Sequence, residues 1–515
     1  MKTYARIIAL LCALLMVVPA LVACANTNEP GETSVPVADT KGPDEPGGVV
    51  DDNLDEHGYW KDDLPGDLNY NTSVMILYWD DVERPEFEIL EEDTDVDMIK
   101  EAIYRRNITT EERLGVTFEW VGTPGDSGDR AKFVAFAKNA YENGTYYDIV
   151  ATYSRTAGML LTEGLIQDLN QIEDSHINTA QPWWPKTMLE TCSIEDSLFF
   201  VSGDISTNVL HFMYAVYYNM DMLKNMHIED PIALVDSKTW TIDKLIELSS
   251  DLYVDLDQDS SPSEGDQYGF CSTYFHLDAF YTGSDMMCLV KGDDENPVKI
   301  SDEFYGDKTT DLVDKLGRWF ESGDTYVNPY KGSLNYYVPF DEGNCAFRLD
   351  RVYVADNIHH NGALRDADFE YGILPVPLYN EDQEDYITVV GNPFTLWCVM
   401  HKASDPTMSS AVIECLASEG YRKTSPMIFE NNMKYRYTPD TEGKGDGARM
   451  FDIIRASIAF DLGRIFSDSL EFMSEMPSKT AASSKSWASE KAGYKKILNR
   501  AIVDLNKSLK EILDN

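Results

Sequence analysis

The pattern of apolar and polar positions changes its period several times along the chain. Apolar runs at 73–79, 116–121 and 147–152 predict short, buried strands. Between them, apolar residues recur every three to four positions at 98–103 and 133–141, which predicts two amphipathic helices. Strands and helices that alternate in this way favour parallel strands joined by right-handed crossovers.

A second alternating series occupies the later part of the chain. The run 212–219 predicts a strand, and Thr239 or Thr241 is expected to cap the helix that follows. Apolar residues recur at helical spacing again around 312–320 and through 491–513. The two series together predict an α/β protein with two doubly wound lobes.

The N-terminal segment has the three parts of an export signal. Lys2 and Arg6 provide a positive start, and an apolar run follows them. The stretch LVAC at 21–24 resembles the lipobox of bacterial lipoproteins, which implies cleavage before Cys24 and attachment of a diacylglyceryl group to its thiol. The alternative is an ordinary secretory signal with a coincidental cysteine. We expect 1–23 to be a lipoprotein signal peptide and the mature chain to be lipid-anchored at the outer face of the cytoplasmic membrane.

Residues 24–66 are expected to form a flexible, acidic tether behind that anchor. The stretch 25–50 contains four prolines, four glycines and five acidic residues, and it contains no aromatic residue. A segment of this composition cannot bury enough apolar surface to fold.

The chain is strongly acidic, with a formal net charge of −46. Removal of the signal peptide takes away Lys2 and Arg6 and no acidic residue, which makes the mature charge −48. Nucleic acids and anionic lipid surfaces are poor partners for so acidic a body. We therefore expect no nucleic acid partner, and we expect a monomer.

The usual sequence signatures of catalysis and of zinc binding are missing. The sequence contains no HExxH, no GxSxG and no GxxxxGK[ST], and the six cysteines beyond Cys24 form no CxxC pair. No enzyme and no required cofactor are expected. A carboxylate pair for glycoside hydrolysis stays open, because the chain has 89 acidic residues.

One acidic loop has the spacing of a calcium loop. The stretch DLDQDSSPSEGD places Asp255, Asp257 and Asp259 at positions one, three and five. Asp266 stands at the last position in place of the usual Glu, and Ser260 replaces the glycine of the sharp turn. The loop predicts a weak or decayed calcium site, and an ordinary acidic turn is the alternative that these replacements favour.

Aromatic residues at the ends of predicted strands are candidate ligand contacts. Aromatic faces offer a large apolar area with a polar handle, which suits the C–H faces of sugar rings. In open α/β sheets, ligands bind beyond the carboxyl ends of the strands. The aromatic residues with this position are Trp79 before Asp80 and Asp81, Tyr153 before Arg155, and Tyr353 after Asp350 and Arg351.

A series of motifs between about 70 and 435 carries a resemblance to a known family. The motifs are YDIVATYSRTAGMLLTEGLIQDL, QPWWPK, VYYNMDMLKNMHIEDP, TWTIDKLIELSSDL, FDEGNCAFRLDRVYVADN, YGILPVPLYN and GNPFTLWCVMHKAS. Each is weak alone, but their order, together with the lipobox, resembles the extracellular solute-binding proteins of family 1. These proteins are the receptors of ABC sugar importers.

The resemblance implies a periplasmic-binding-protein-like fold of type II, in which hinge crossovers join two lobes and the ligand lies in the cleft between them. The implied crossings lie near 208–212, 392–400 and 455–465. The implied lobes are 67–210 with about 398–455, and 211–397 with about 456–515.

The family's sugar-contacting loops also map onto this sequence. The ligand-binding residues implied by this match are Trp79, Asp80, Asp81, Tyr153, Arg155, Phe275, Tyr281, Asp350, Arg351 and Tyr353. Where many members have Gly-x-Trp, this chain has Arg351-Val352-Tyr353. A guanidinium group pairs well with a carboxylate, so a uronic or otherwise acidic sugar stays open, and pairing of Arg351 with Asp350 is the alternative.

Together, the resemblance and the anchor predict a tethered receptor that captures a carbohydrate, with an oligosaccharide favoured, and delivers it to the permease subunits of an ABC transporter. A receptor for a peptide or a polyamine is a second hypothesis, which the acidic charge keeps open. A surface carbohydrate-active enzyme is a third, and such an enzyme would consume its ligand.

Overall fold

The structure of the protein is a computed structural model. It describes residues 53–82, 88–93, 97–328, 335–355, 364, 367–434 and 445–514. The expected signal peptide, Cys24 and the tether as far as residue 52 lie outside these residues. Within the described ranges, no helix has both the length and the apolar character needed to cross a lipid bilayer.

The elements of the described ranges follow in chain order. The strands are β1 (Thr72–Trp79), β2 (Val116–Thr123), β3 (Ile149–Tyr153), β4 (Tyr214–Asn219), β5 (Tyr268–Thr273), β6 (Leu289–Asp293), β7 (Asn296–Ile300), β8 (Thr325–Asn328), β9 (Cys345–Arg351), β10 (Tyr371–Leu374), β11 (Thr388–Val389), β12 (Thr395–Val399) and β13 (Ile458–Ala459). The α-helices are α1 (Met98–Leu114), α2 (Arg130–Glu142), α3 (Ser154–Thr162), α4 (Lys186–Cys192), α5 (Asn208–His211), α6 (Met220–Asn225), α7 (Pro231–Asp236), α8 (Ile242–Leu248), α9 (Asp278–Gly283), α10 (Asp307–Phe320), α11 (Val338–Asp341), α12 (Pro406–Glu419), α13 (Asp446–Ala456), α14 (Leu462–Ile465), α15 (Met476–Ala482) and α16 (Trp487–Leu513).

The first sheet has the strand order β12-β3-β1-β2. β1 lies parallel to both β2 and β3, and the register pairs Ile76 with Trp120 on one side and with Ile149 on the other. β12 lies antiparallel to β3. Since α1 and α2 connect β1, β2 and β3 in turn, the prediction of parallel strands with helical crossovers is confirmed for this part of the chain.

Local sequence signals set the ends of α1. The carboxylate of Asp97 accepts hydrogen bonds from the backbone N–H groups of Ile99 (2.9 Å) and Lys100 (3.1 Å), which caps the first turn. Gly115 ends the helix with a φ of 62°, in the left-handed region that glycine adopts without steric cost.

The second sheet has the strand order β10-β4-β9-β5-β8. β5 lies parallel to β8 and β9, whereas β4 is antiparallel to β9 and β10. Every residue of β4, β5 and β9 is buried. Strands covered on both faces are typical of α/β lobes, and the expected two-lobe α/β class is confirmed.

The chain passes between the two sheets along segments that lie side by side. The first leads through α5 into β4, the second from β11 into β12, and the third from α13 through β13. β11 pairs with β13 in parallel, and Met213 forms a bridge with Val390. We refer to these three segments as the crossovers. The positions of the lobe boundaries stay a prediction. The boundary expected near residue 398 lies within strand β12.

Residues Asp52–Asn515 form one compact unit. The cysteines beyond Cys24 are all buried and unbonded inside it, as expected of small hydrophobic residues: Cys192, Cys271, Cys288, Cys345, Cys398 and Cys415.

Candidate ligand-binding site

Arg351, the last residue of β9, stands among aromatic rings of the second lobe. Its guanidinium carbon lies 4.9 Å from the ring centroid of Phe212 and 5.8 Å from those of Tyr214 and Phe275. Its Nε–H also donates to the hydroxyl oxygen of Tyr214 at 3.4 Å. Desolvated guanidinium groups interact favourably with ring faces, so these contacts fix the direction of the side chain.

The carboxylate of Asp350 pairs with Arg348, and not with Arg351 as the alternative in the sequence analysis proposed. Its Oδ2 accepts hydrogen bonds from Nε (2.8 Å) and Nη2 (2.5 Å) of Arg348, and its Oδ1 accepts the backbone N–H of Arg351 (2.8 Å) and lies 3.5 Å from Nδ1 of His276. Burial alone would raise the pKa of Asp350, but the charges of Arg348 and His276 and the hydrogen bonds from Arg348 and Arg351 together hold that pKa below its ordinary value. The carboxylate of Asp350 therefore pairs with Arg348, whereas the guanidinium group of Arg351 lies among aromatic rings.

Two of the predicted aromatic contacts remain partly accessible next to Arg351. Phe275 and Tyr353 are half-buried, and the Tyr353 ring lies 5.2 Å from that of Phe212. Tyr281 differs, because it lies in α9 with 2% of its surface exposed and packs against Phe304 at 6.2 Å. The structure therefore brings Phe275, Arg351 and Tyr353 together and leaves Tyr281 in the interior.

The predicted residues of the first lobe form a second cluster. The rings of Trp79 and Tyr153, at the ends of the neighbouring strands β1 and β3, meet edge to face with centroids 5.4 Å apart. The Nε1–H of Trp79 donates to the hydroxyl of Thr395 at 2.9 Å. The exposed fractions are 0% for Trp79 and 2% for Tyr153, so both rings are buried in this conformation.

Asp80 and Asp81, which follow β1, lie in different surroundings. Oδ1 of Asp81 accepts the backbone N–H groups of Gly125 (2.6 Å) and Asp126 (3.1 Å), which holds the loop after β2. Asp80 is exposed, and its pKa is raised by burial of its carboxylate and by the charge of Asp81. Asp80 is thus the member of the pair that a solute can reach.

A segment near the C-terminus completes the first-lobe cluster, and no sequence motif predicted its position there. Arg155 donates to Glu475 at 2.8 Å, and Arg130 donates to both oxygens of Asp468 at 3.0 and 3.1 Å. Both guanidinium carbons lie near the ring of Phe472, at 5.5 Å for Arg155 and 5.9 Å for Arg130. Phe472 has a φ of 56°, which is uncommon for a bulky residue and marks a strained position.

The same segment reaches the second lobe. Lys479 forms an ion pair with Glu475 at 2.9 Å, and its Nζ lies 6.0 Å from the ring centroid of Tyr274. Tyr274 directly precedes Phe275. The residues from 468 to 479 therefore contact the first-lobe cluster and approach Tyr274, the neighbour of Phe275 in the chain.

The calcium-like loop keeps part of its expected geometry. Carboxylate oxygens of Asp255, Asp257 and Asp259 all lie within 4.8 Å of one another. Asp266 is fully buried and instead accepts the backbone N–H groups of Leu256 (3.0 Å) and Ser263 (2.8 Å). Three of the four predicted ligands thus lie close together, and calcium binding stays a prediction.

Among the described residues, a second group of three carboxylates lies equally close together, although no sequence motif predicts it. It consists of Asp81, Asp126 and Asp129, whose carboxylate oxygens also lie within 4.8 Å of one another.

Solved structures with the same fold are sugar receptors of low sequence identity. The galacto-N-biose-/lacto-N-biose I-binding protein of the ABC transporter from Bifidobacterium longum superposes with a TM-score of 0.51 at 11% identity, covering 85% of this chain and 97% of that one. A cyclo/maltodextrin-binding protein complexed with maltotetraose gives 0.51 at 13% identity, with 85% and 97% covered. The cyclic alpha-maltosyl-1,6-maltose binding protein from Arthrobacter globiformis gives 0.50 at 13% identity, with 85% and 99% covered.

These structures confirm the type II binding-protein fold that the family resemblance implied. No family model and no curated protein matches the sequence.

Proposed function

We propose that this protein captures a carbohydrate, an oligosaccharide, by closing its two lobes around it, and delivers it to the permease of an ABC transporter. The observation that carries the proposal is the pair of clusters at the ends of β3 and β9, in which aromatic rings stand beside guanidinium groups. Its fold is also that of solved receptors whose names specify disaccharides or oligosaccharides as ligands.

The chemistry of the second-lobe cluster suits a sugar. Phe275 and Tyr353 offer partly accessible rings for the C–H faces of a pyranose, and Arg351 offers hydrogen-bond donors next to them. Arg351 lies among these rings, and a guanidinium group can donate to the hydroxyl groups of a sugar as well as to a carboxylate. Both neutral and acidic sugars are therefore candidate ligands.

Capture by closure requires no bond cleavage. A ligand that touches both lobes stabilises the closed state relative to the open one, so its binding energy shifts the equilibrium between them. The segment 468–479 contacts Arg155 and approaches Tyr274, so it lies where such a movement would alter contacts. We therefore assign the protein a binding role and no catalytic one.

The proposed location follows from the lipobox-like stretch at 21–24. A diacylglyceryl group on Cys24 would hold the mature chain at the outer face of the cytoplasmic membrane, and the tether behind it would let a monomeric receptor turn toward its permease. Labelling of the expressed full-length protein with a radioactive fatty acid tests the anchor. Label on the wild type and none on Cys24→Ala supports it, and equal labelling contradicts it.

A thermal-shift panel of residues 52–515 against oligosaccharides, uronates, peptides and polyamines tests the cargo class. A sugar present at 100 times its Kd adds about 2.7 kcal/mol to the free energy of unfolding and raises the midpoint by a few degrees. Recovery of that sugar intact by chromatography supports the receptor. Stabilisation by a polyamine or peptide alone contradicts the proposed cargo, and cleavage of the sugar contradicts the binding role.

A further inference from the structure

A cavity of about 300 Å³ lies beside the crossovers. Val209 and Leu210 of the first crossover and Ala456 and Ile458 of the third contribute to its wall. We call it the hinge cavity. Its volume is at the lower end of the range for small-molecule sites, roughly 300–1,000 Å³.

The hinge cavity is separate from the candidate ligand-binding site. Ile458 lines it, whereas the next residue of β13, Ala459, lines a smaller cavity together with Ser154 and Arg464. Successive residues of a strand point to opposite faces, so the two cavities lie on opposite sides of β13. Ser154 directly follows Tyr153 of the candidate site, which places the hinge cavity on the other side of the third crossover.

The charged residues of the hinge cavity favour an anion. Arg455 and Asp204 form an ion pair at 3.0 Å and offset one another. Lys186 is exposed at the start of α4 and forms no ion pair with any residue that the structure describes. The lining charges therefore sum to one positive charge in a chain whose net charge is −46.

The remaining walls include an apolar surface, the polar residue Thr187 and one unsatisfied donor. Pro182, Pro185, Val209 and Leu210 provide the apolar surface. Trp183 also lines the cavity, and its buried Nε1–H has no acceptor among the described residues. An indole N–H can only donate, so a ligand that satisfies it must bring an acceptor oxygen or nitrogen.

The backbone beside the hinge cavity has an unusual conformation. The stretches Gly420–Thr424 and Pro426–Met433 are π-helical, a rare form that is frequently found at functional sites. Ser425, between them, donates to Asp204 at 2.5 Å, and the ring of Tyr421 lies 5.8 Å from that of Trp183. The wide helical turns thus hold two of the residues that line the cavity.

We propose that the hinge cavity is a second binding site, and that its ligand is a small organic monocarboxylate with an apolar body. The carboxylate meets the charge of Lys186, and the apolar body lies against the prolines and the residues of the first crossover. An occupant touches two crossovers, so the site senses how the lobes are arranged.

Binding of benzoate to residues 52–515, followed by ligand-observed NMR without any sugar, tests the site independently of the cargo. The probe is expected to bind at millimolar concentration, and the neutral isostere benzamide is expected to bind several-fold more weakly. Ala456→Trp should abolish binding, because Ala456 is an exposed residue at the wall and a large ring there fills the cavity.

Charge variants complete the test. Lys186→Glu should weaken benzoate binding several-fold, and it should fold normally because a carboxylate is favourable in the first turn of α4. Lys291→Glu, an exposed change on β6, is the matched control and should leave binding unchanged. No binding to the wild type, binding that survives Ala456→Trp, or equal binding of benzamide would overturn the proposal.

Discussion

The guanidinium group of Arg348 donates two hydrogen bonds to Oδ2 of Asp350, at 2.8 and 2.5 Å, and both side chains are buried. Arg348 also pairs with Asp341 at 2.6 Å. The hydroxyl of Tyr336 donates to the same Oδ2 at 3.1 Å. This network holds the end of β9, and therefore holds the backbone on which Arg351 stands.

Neutralising this network at Asp350 should destabilise the protein. Asp350→Asn leaves Arg348 buried with one carboxylate fewer, and breaking a buried pair in this way costs about 3 kcal/mol. Urea unfolding followed by circular dichroism measures the change. Asp504→Asn is the matched control, since the pair of Arg500 and Asp504 is exposed and its loss should have no measurable effect. Equal midpoints for the two variants would contradict the role of the network.

Much of the architecture could be predicted from local sequence. The strands β1, β2 and β3 and the helices between them follow from the period of apolar residues, because each element buries a face that its own sequence defines. Asp97 and Gly115 likewise mark the ends of α1 through bonds and angles that are local.

The candidate site could be predicted only in part. The partners of Arg130 and Arg155 are 338 and 320 residues away in the chain, and no local pattern reports so distant a contact. Tyr281 is predicted as a ligand contact but lies in a buried helix. An aromatic residue in such a helix has the same sequence signal as one in a cleft, so the sequence cannot distinguish the two positions. The family resemblance predicts Arg351 as a ligand contact, and that stays a prediction; its aromatic surroundings are evident only in the structure.

A half-buried ring beside Arg351 should contribute to sugar affinity. Tyr353→Ala removes a face on which a sugar ring can stack, and a loss of about 1.4 kcal/mol corresponds to a tenfold weaker Kd. Calorimetric titration with the sugar found by the thermal-shift panel measures the effect. Tyr379→Ala removes a similarly half-buried ring that stacks on Lys308 and Lys315 elsewhere, and should leave affinity unchanged. An unchanged Kd for Tyr353→Ala would remove this ring from the site.

Glu414 should make stability depend on pH. Burial raises its pKa to about 8, although its Oε2 accepts hydrogen bonds from the Trp184 indole (3.1 Å) and the Asn178 backbone (3.2 Å). From about pH 4.5 to 8, the folded state holds a proton that the unfolded state releases. The free energy of unfolding therefore falls as pH rises, by as much as about 1.4 kcal/mol for each unit of the pKa difference.

The variant Glu414→Gln tests this dependence, because it keeps the shape and removes the titration. Urea unfolding at about pH 5 and about pH 8 should show a smaller loss of stability for Glu414→Gln than for the wild type. Glu295→Gln, at an exposed position, should retain the wild-type dependence. Parallel pH profiles for Glu414→Gln and the wild type would show that Glu414 does not titrate in this window.

The central claim is that the protein binds a sugar without changing it, through the cluster around Arg351. Calorimetric titration of the wild type and of Arg351→Gln with the oligosaccharide from the thermal-shift panel, with chromatography of the recovered sugar, tests it most directly. The account predicts saturable binding at one sugar per chain, a Kd at least about tenfold weaker for Arg351→Gln, and full recovery of intact sugar. Equal affinity for the two proteins, or recovery of sugar fragments, would contradict it.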